Sequence, residues 1–112
     1  MKRDITLFID DILESIKDIE AFTVKISKDD FFKNKEKQSA VVRQIEIIGE
    51  AVKNIPDFFR EKYSNIPWSK IAGMRDIIIH GYFRVDLDAV WKVIKKDLPT
   101  LKKQILQVKK DS

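Results

Sequence analysis

The chain has 112 residues, with Lys+Arg 22 against Asp+Glu 18, a formal balance of +4, a single His, no Cys, Gly 3 and Pro 3. Without cysteine there is no disulfide framework, thiol nucleophile or zinc-thiolate centre, and one histidine forbids a multi-histidine metal site within one chain; carboxylate-only metal sites stay open. At this length roughly two-thirds of the unfolded surface can be buried, which supports one domain over residues 1–112 and leaves little room for a large cofactor pocket. With 36% charged residues and so few Gly and Pro, the composition points to a helical protein of the cytoplasm. The opening stretch Met1 to Lys17 interrupts its apolar residues with acids, so neither a signal peptide nor a membrane span is expected.

Taken in chain order, Ile5, Phe8, Ile9, Ile12, Ile16 and Ile19 recur at three- and four-residue steps, with Asp10, Asp11, Glu14, Lys17 and Asp18 on the other face. This spacing predicts an amphipathic helix of about six turns. The polar stretch from Thr23 to Lys37 offers Ser27, Asp29 and Asp30 as caps, so a connection and a second helix are expected there. Val41, Val42, Ile45, Ile48 and Val52 then continue helical spacing until Pro56 ends it. Gly49 lies inside that helix, where glycine costs about 1 kcal/mol relative to Ala; close approach of another backbone is the expected reason.

Pro56 to Tyr63 reads as a short helical connector, and Pro67 sits where the first turn of a helix starting near Trp68 tolerates it. From Ser69 to Phe83 the signals conflict, because Ile77, Ile78 and Ile79 are β-branched and His80-Gly81 can form a turn between two short strands. Asp86 is a plausible N-cap for a stripe of Leu87, Val90, Trp91 and Ile94, which resumes as Leu98, Leu101, Ile105 and Val108 after a kink at Pro99. The expected architecture is all-α, an antiparallel bundle of four to five helices.

Chemistry concentrates in Met74 to Phe83, where Arg75, Asp76, His80 and Tyr82 surround an apolar run. On a helix, Asp76 and His80 share a face and the carboxylate can orient the imidazole, whereas Arg75 and His80 stand about 140° apart. Within one chain those two need not touch. A second copy packed about a two-fold axis can bring both to one cleft. Against this stands a plainer reading of the same residues: a surface Asp76–His80 pair, a solvated Arg75, a core Tyr82 and Gly81 as a helix C-cap. Arg43, Glu46 and Glu50, at three- and four-residue steps, form a solvated face in one reading and reach the cleft or the dimer seam in another, and Trp68 and Trp91 are read as core anchors. Lys92, Lys95, Lys96, Lys102, Lys103, Lys109 and Lys110 are either solubilising charge or contacts for a nucleic-acid backbone.

The segment from Arg75 to His80, with Tyr82 two positions on, has the form Arg-x4-His-x-Tyr. With the tract Arg43 to Ala51, Ile66-Pro67-Trp68, Ile71 to Met74, Val90-Trp91 and Leu98-Pro99, it resembles the HepT-like branch of the HEPN superfamily over nearly the whole chain. Asp76 stands where that branch also uses Asn. The resemblance implies a helix through the isoleucine run, a two-fold homodimer, and a metal-independent, cofactor-free endoribonuclease acting as the toxin of a type VII-like toxin–antitoxin pair. Arg75 and His80 are then catalytic, Asp76 supports them, and Tyr82 receives AMP from a minimal nucleotidyltransferase antitoxin. The residues suit that chemistry, since RNA carries its own 2′-hydroxyl nucleophile, His80 can move protons near neutral pH, and Arg75 can grip the phosphate through two parallel hydrogen bonds. Two other readings remain, a non-catalytic helical module that pairs with the nucleotidyltransferase, and direct nucleotide binding by Arg75 and the lysines.

Overall fold

A computed structural model describes residues 4–80 and 84–111, and for His80 the backbone alone. The first helix, α1 (Ile5–Thr23), begins where the Asp4 carboxylate accepts from the Thr6 N–H at 2.9 Å. It buries Ile9, Ile12, Leu13, Ile16 and Ile19 on one face. Each such side chain contributes about 1.5–3 kcal/mol relative to exposure. Its end is a tight turn in which Ile26 N–H reaches the Thr23 carbonyl at 3.3 Å, with Lys25 held at φ 58°.

Ser27 caps α2 (Lys28–Lys33) by accepting from the Asp30 N–H, and Asn34 caps α3 (Lys35–Lys53) by accepting from the Lys37 N–H. The Lys37 ammonium donates to the Phe22 carbonyl at 2.7 Å, which ties the start of α3 to the end of α1 and makes the two antiparallel. Beyond α3, the Arg60 guanidinium of α4 (Asp57–Lys62) donates to the carbonyls of Ile55 and Val52. Those oxygens lie at the C-terminal end of α3 and just past it, where helical partners run out.

Two short helices follow, α5 (Trp68–Ala72) and α6 (Met74–Ile78). Trp68 is buried, with its indole N–H donating to the Tyr63 carbonyl at 3.1 Å, so it anchors the core as expected. Trp91 packs its ring 5.6 Å from that of the buried Phe31.

The helix expected through the isoleucine run stops early. α6 ends at Ile78, and Ile79–His80 form a strand, β1, paired antiparallel with β2 (Arg84–Val85) in the register Ile79 to Val85 and His80 to Arg84. The Asp86 N–H closes this ladder on the Ile78 carbonyl at 2.7 Å. Ile77 and Ile78 follow the helical expectation and Ile79 the β-branched preference, so each of the conflicting signals governs part of the run.

The chain then enters one long composite helix. The Asp86 carboxylate accepts from the Ala89 N–H to cap α7 (Leu87–Lys92), a π-helical segment spans Val93–Asp97, and α8 (Leu98–Asp111) completes it. Pro99 has no N–H to offer the preceding turn, and just before it the Leu98 N–H bonds the Val93 carbonyl five residues back. The kink expected at Pro99 thus takes the form of a widened turn. Lys102 meets Glu20 at 3.0 Å and Lys109 meets Asp10 at 2.7 Å, which sets α8 antiparallel to α1.

The described residues form an all-α fold with a two-residue ladder. α1, α3, the α5–α6 pair and the composite C-terminal helix surround one core that includes Ile12, Ile45, Ile48, Ile78, Val90 and Ile105. No helix among the described residues is long and apolar enough to cross a membrane.

Candidate active site

The position of α6 is set by a glycine in a different helix. A Cβ on Gly49 of α3 would stand 3.3 Å from the Ala72 carbonyl oxygen at the end of α5, so the absent side chain lets α5, and α6 after it, lie close on α3. This is the close backbone approach expected from a mid-helix glycine. Met74 and Ile78 of α6 point into the core, which turns Arg75, Asp76 and Ile77 outward.

Arg75 is half exposed, and its Nε–H donates to Oε2 of Glu46 on α3 at 3.3 Å. Its Nη1 lies 3.7 Å from an Asp76 carboxylate oxygen. The structure therefore brings Arg75, Asp76 and Glu46 together. Glu46, which the sequence leaves open as part of a solvated face or a residue that reaches the cleft, has a specific partner 29 positions further along the chain. No single-helix rule links such residues; the sequence cues are that earlier option and the face Glu46 shares with Gly49.

The premise that one helix carries both Asp76 and His80 is overturned, because α6 ends at Ile78 and His80 belongs to β1. Four-residue spacing therefore does not place the Asp76 carboxylate against the imidazole. The C-cap of α6 is Ile79, which also removes Gly81 from the capping role that the plainer reading gave it. Arg84, to which no role was assigned, occupies the register position opposite His80 and is exposed. Tyr82 and Gly81 lie outside the described residues.

Among the C-terminal lysines, Lys102 and Lys109 join α8 to α1 through Glu20 and Asp10, while Lys95 stands 4.7 Å from the Trp91 ring centroid. Lys92, Lys96, Lys103 and Lys110 are exposed.

This arrangement can grip a phosphate. The half-exposed Arg75 guanidinium stands on the outward side of α6, and the strand that carries His80 begins four residues after it. Arginine offers five N–H donors in a planar fork; Glu46 takes Nε, Asp76 lies 3.7 Å from Nη1, and neither contact engages Nη2.

Comparison with known proteins gives the same direction. The family described as "Ribonuclease HepT-like" matches residues 12–108. A protein of Methanocaldococcus jannaschii named "Gamma-glutamylcyclotransferase and putative RNase" is 54% identical over 96% of this chain, and the chain spans 49% of that protein's length. A shorter "Putative RNase" of the same organism is 46% identical over 93% of this chain and 95% of its own. A "Probable ribonuclease HepT" of Thermococcus cleftensis is 46% identical over 98% of this chain and its full length. No solved structure matches. The match over nearly the whole chain agrees with the resemblance carried by Arg75 to Tyr82 and the tracts around it: the chain belongs to the HepT-like ribonuclease family.

Proposed function

We propose that the chain is a metal-independent endoribonuclease in which Arg75 and His80 carry the chemistry. The observation that supports this most is the half-exposed Arg75 guanidinium, held at Nε by Glu46 and carried on α6, which runs directly into the strand that bears the histidine, in a chain of this family. Attack of the RNA 2′-hydroxyl on its neighbouring phosphorus needs a base for the hydroxyl proton, donors for the added charge on the phosphorane, and an acid for the departing 5′-oxygen. His80 moves protons, Arg75 meets the phosphorane oxygens, and the products are a 2′,3′-cyclic phosphate and a 5′-hydroxyl. Asp76 supports the site from beside Arg75, with which it makes the 3.7 Å contact.

One imidazole cannot serve as base and acid at the same moment, and two copies about a two-fold axis supply two. In this reading the protein is the toxin of a prokaryotic toxin–antitoxin pair, and a minimal nucleotidyltransferase silences it by transferring AMP to Tyr82. An adenylate two residues from His80 adds a phosphate and a base that repel and obstruct RNA.

The test is incubation of the purified chain with RNA in EDTA beside Arg75→Ala and His80→Ala. Cleavage by the wild type, lost in both variants, is expected. Cleavage that persists undiminished in both would show a contaminant and remove the assignment. A chain with no RNA cleavage that still captures the nucleotidyltransferase would instead be a non-catalytic pairing module.

A further inference from the structure

The geometry points to Glu46 as the positioning residue for Arg75, an assignment that deepens the ribonuclease reading and rests on it. The pair joins two elements. Glu46 belongs to α3 and Arg75 to α6, so their contact at 3.3 Å comes from the packing of those helices and not from spacing along one of them. That packing is fixed on both sides of the contact. Gly49, one turn after Glu46 on the same face, lets the α5 backbone approach to where its own Cβ would lie 3.3 Å from the Ala72 oxygen. Met74 and Ile78, which flank Arg75 on α6, are 3% and 0% exposed.

The edge of the guanidinium that Glu46 takes is also informative. Binding through Nε keeps Glu46 off the Nη groups; Nη1 lies 3.7 Å from the Asp76 carboxylate, beyond hydrogen-bond distance, so both Nη groups can still turn hydrogens toward two phosphate oxygens. An unclamped arginine on a surface helix samples many rotamers, whereas one held by its Nε edge presents its donors before charge develops on the phosphorane. The neighbouring Glu50 is engaged elsewhere, 3.4 Å from Lys53, which singles out Glu46 on this face.

A carboxylate beside a phosphate site has a second effect of opposite sign. Its negative charge repels the substrate, so Glu46 weakens ground-state RNA binding while it raises the rate of the bound complex. Removing it should lower kcat and leave KM unchanged or lower; because a smaller folded fraction also lowers kcat at constant KM, the melting temperature and the guanidinium exchange rate separate the two.

The experiment uses the full chain as wild type, Glu46→Gln, Glu46→Ala and Glu46→Asp, with steady-state cleavage of an oligoribonucleotide at fixed salt. The Arg75 Nε–H signal in a nitrogen-15 correlation spectrum is followed in parallel for its exchange with water. A fall in kcat of fivefold or more in Glu46→Ala is expected, with KM equal or lower and an unchanged melting temperature. A smaller loss is expected in Glu46→Gln, which keeps an accepting oxygen, and partial rescue in Glu46→Asp. Faster exchange of the Arg75 Nε–H should accompany each loss. Wild-type kcat in Glu46→Gln and Glu46→Ala, or a loss carried by raised KM alone, overturns the assignment. Should Glu46→Ala fail to fold, the isosteric Glu46→Gln decides. Should the wild type itself leave RNA intact, the ribonuclease reading fails separately, and the exchange rate alone decides the clamp: faster in Glu46→Gln upholds it, unchanged ends it.

Discussion

Gly49 and the Ala72 carbonyl oxygen approach so closely that the Cβ of any other residue would stand 3.3 Å from that oxygen. The contact is with backbone, which cannot rotate away as a side chain can. Gly49→Ala gains about 1 kcal/mol of helix propensity and loses a similar amount by pushing α5 from α3, so its unfolding free energy should stay near that of wild type. Gly49→Val adds bulk with no such gain and should cost about 1–3 kcal/mol, read by urea denaturation. Both should lower RNA cleavage, because α6 and Arg75 move with α5.

Lys25 has a left-handed backbone, φ 58°, at the third position of the turn that ends α1, with Val24 before it at φ −62° and ψ 131°. This turn shape favours glycine at that position. Lys25→Gly should raise stability by roughly 1 kcal/mol despite the added freedom of the unfolded chain, measured as a higher denaturation midpoint at constant slope. A lower midpoint would show that the lysine side chain contributes more than its backbone costs.

Asp86 joins the ladder to the C-terminal helix, since its N–H closes on the Ile78 carbonyl and its carboxylate caps α7 through the Ala89 N–H at 3.0 Å. Asp86→Ala should cost about 1 kcal/mol through the lost cap, and Asp86→Asn much less. Equal unfolding free energies for wild type and Asp86→Ala would mean that the cap adds nothing.

The parts of the fold legible in the sequence were those governed by long periodicity. Ile9 to Ile19, Val41 to Val52 and Leu87 to Val108 show apolar stripes of several turns, and Ser27 and Asp86 cap helices as expected. The isoleucine run was legible in part: its β-branched residues and the His80-Gly81 pair pointed to two short strands, which Ile79–His80 and Arg84–Val85 form, but the point of the break, after Ile78, is set by that pairing and no local spacing encodes it. A relation assumed to hold on one helix, Asp76 to His80, failed for the same reason. Arg75 stood out in the motif, whereas Glu46 was one of three α3 residues open to a cleft or solvated role, since only the α3–α6 packing pairs it with Arg75. Gly49 was the one sequence sign of that packing.

Regulation through Tyr82 has a direct readout in intact mass. After incubation with the cognate nucleotidyltransferase and ATP, the wild-type chain should gain whole adenylate units and lose RNA cleavage, while Tyr82→Phe should gain none and stay active. A mass gain in Tyr82→Phe equal to wild type would move the modification to another residue, with Tyr63 the sole remaining tyrosine.

The central claim is a cleft that two protomers share, each supplying an imidazole, and subunit mixing tests it most directly. Wild-type and His80→Ala chains are mixed in varied ratio, exchanged through mild denaturant and assayed on RNA in EDTA. If the cleft needs both imidazoles, mixed dimers, which hold one, should be inactive, and cleavage should fall as the square of the wild-type fraction. Cleavage that falls only in proportion to that fraction while mixed dimers are shown to form, or an active species that is a monomer, contradicts the shared cleft.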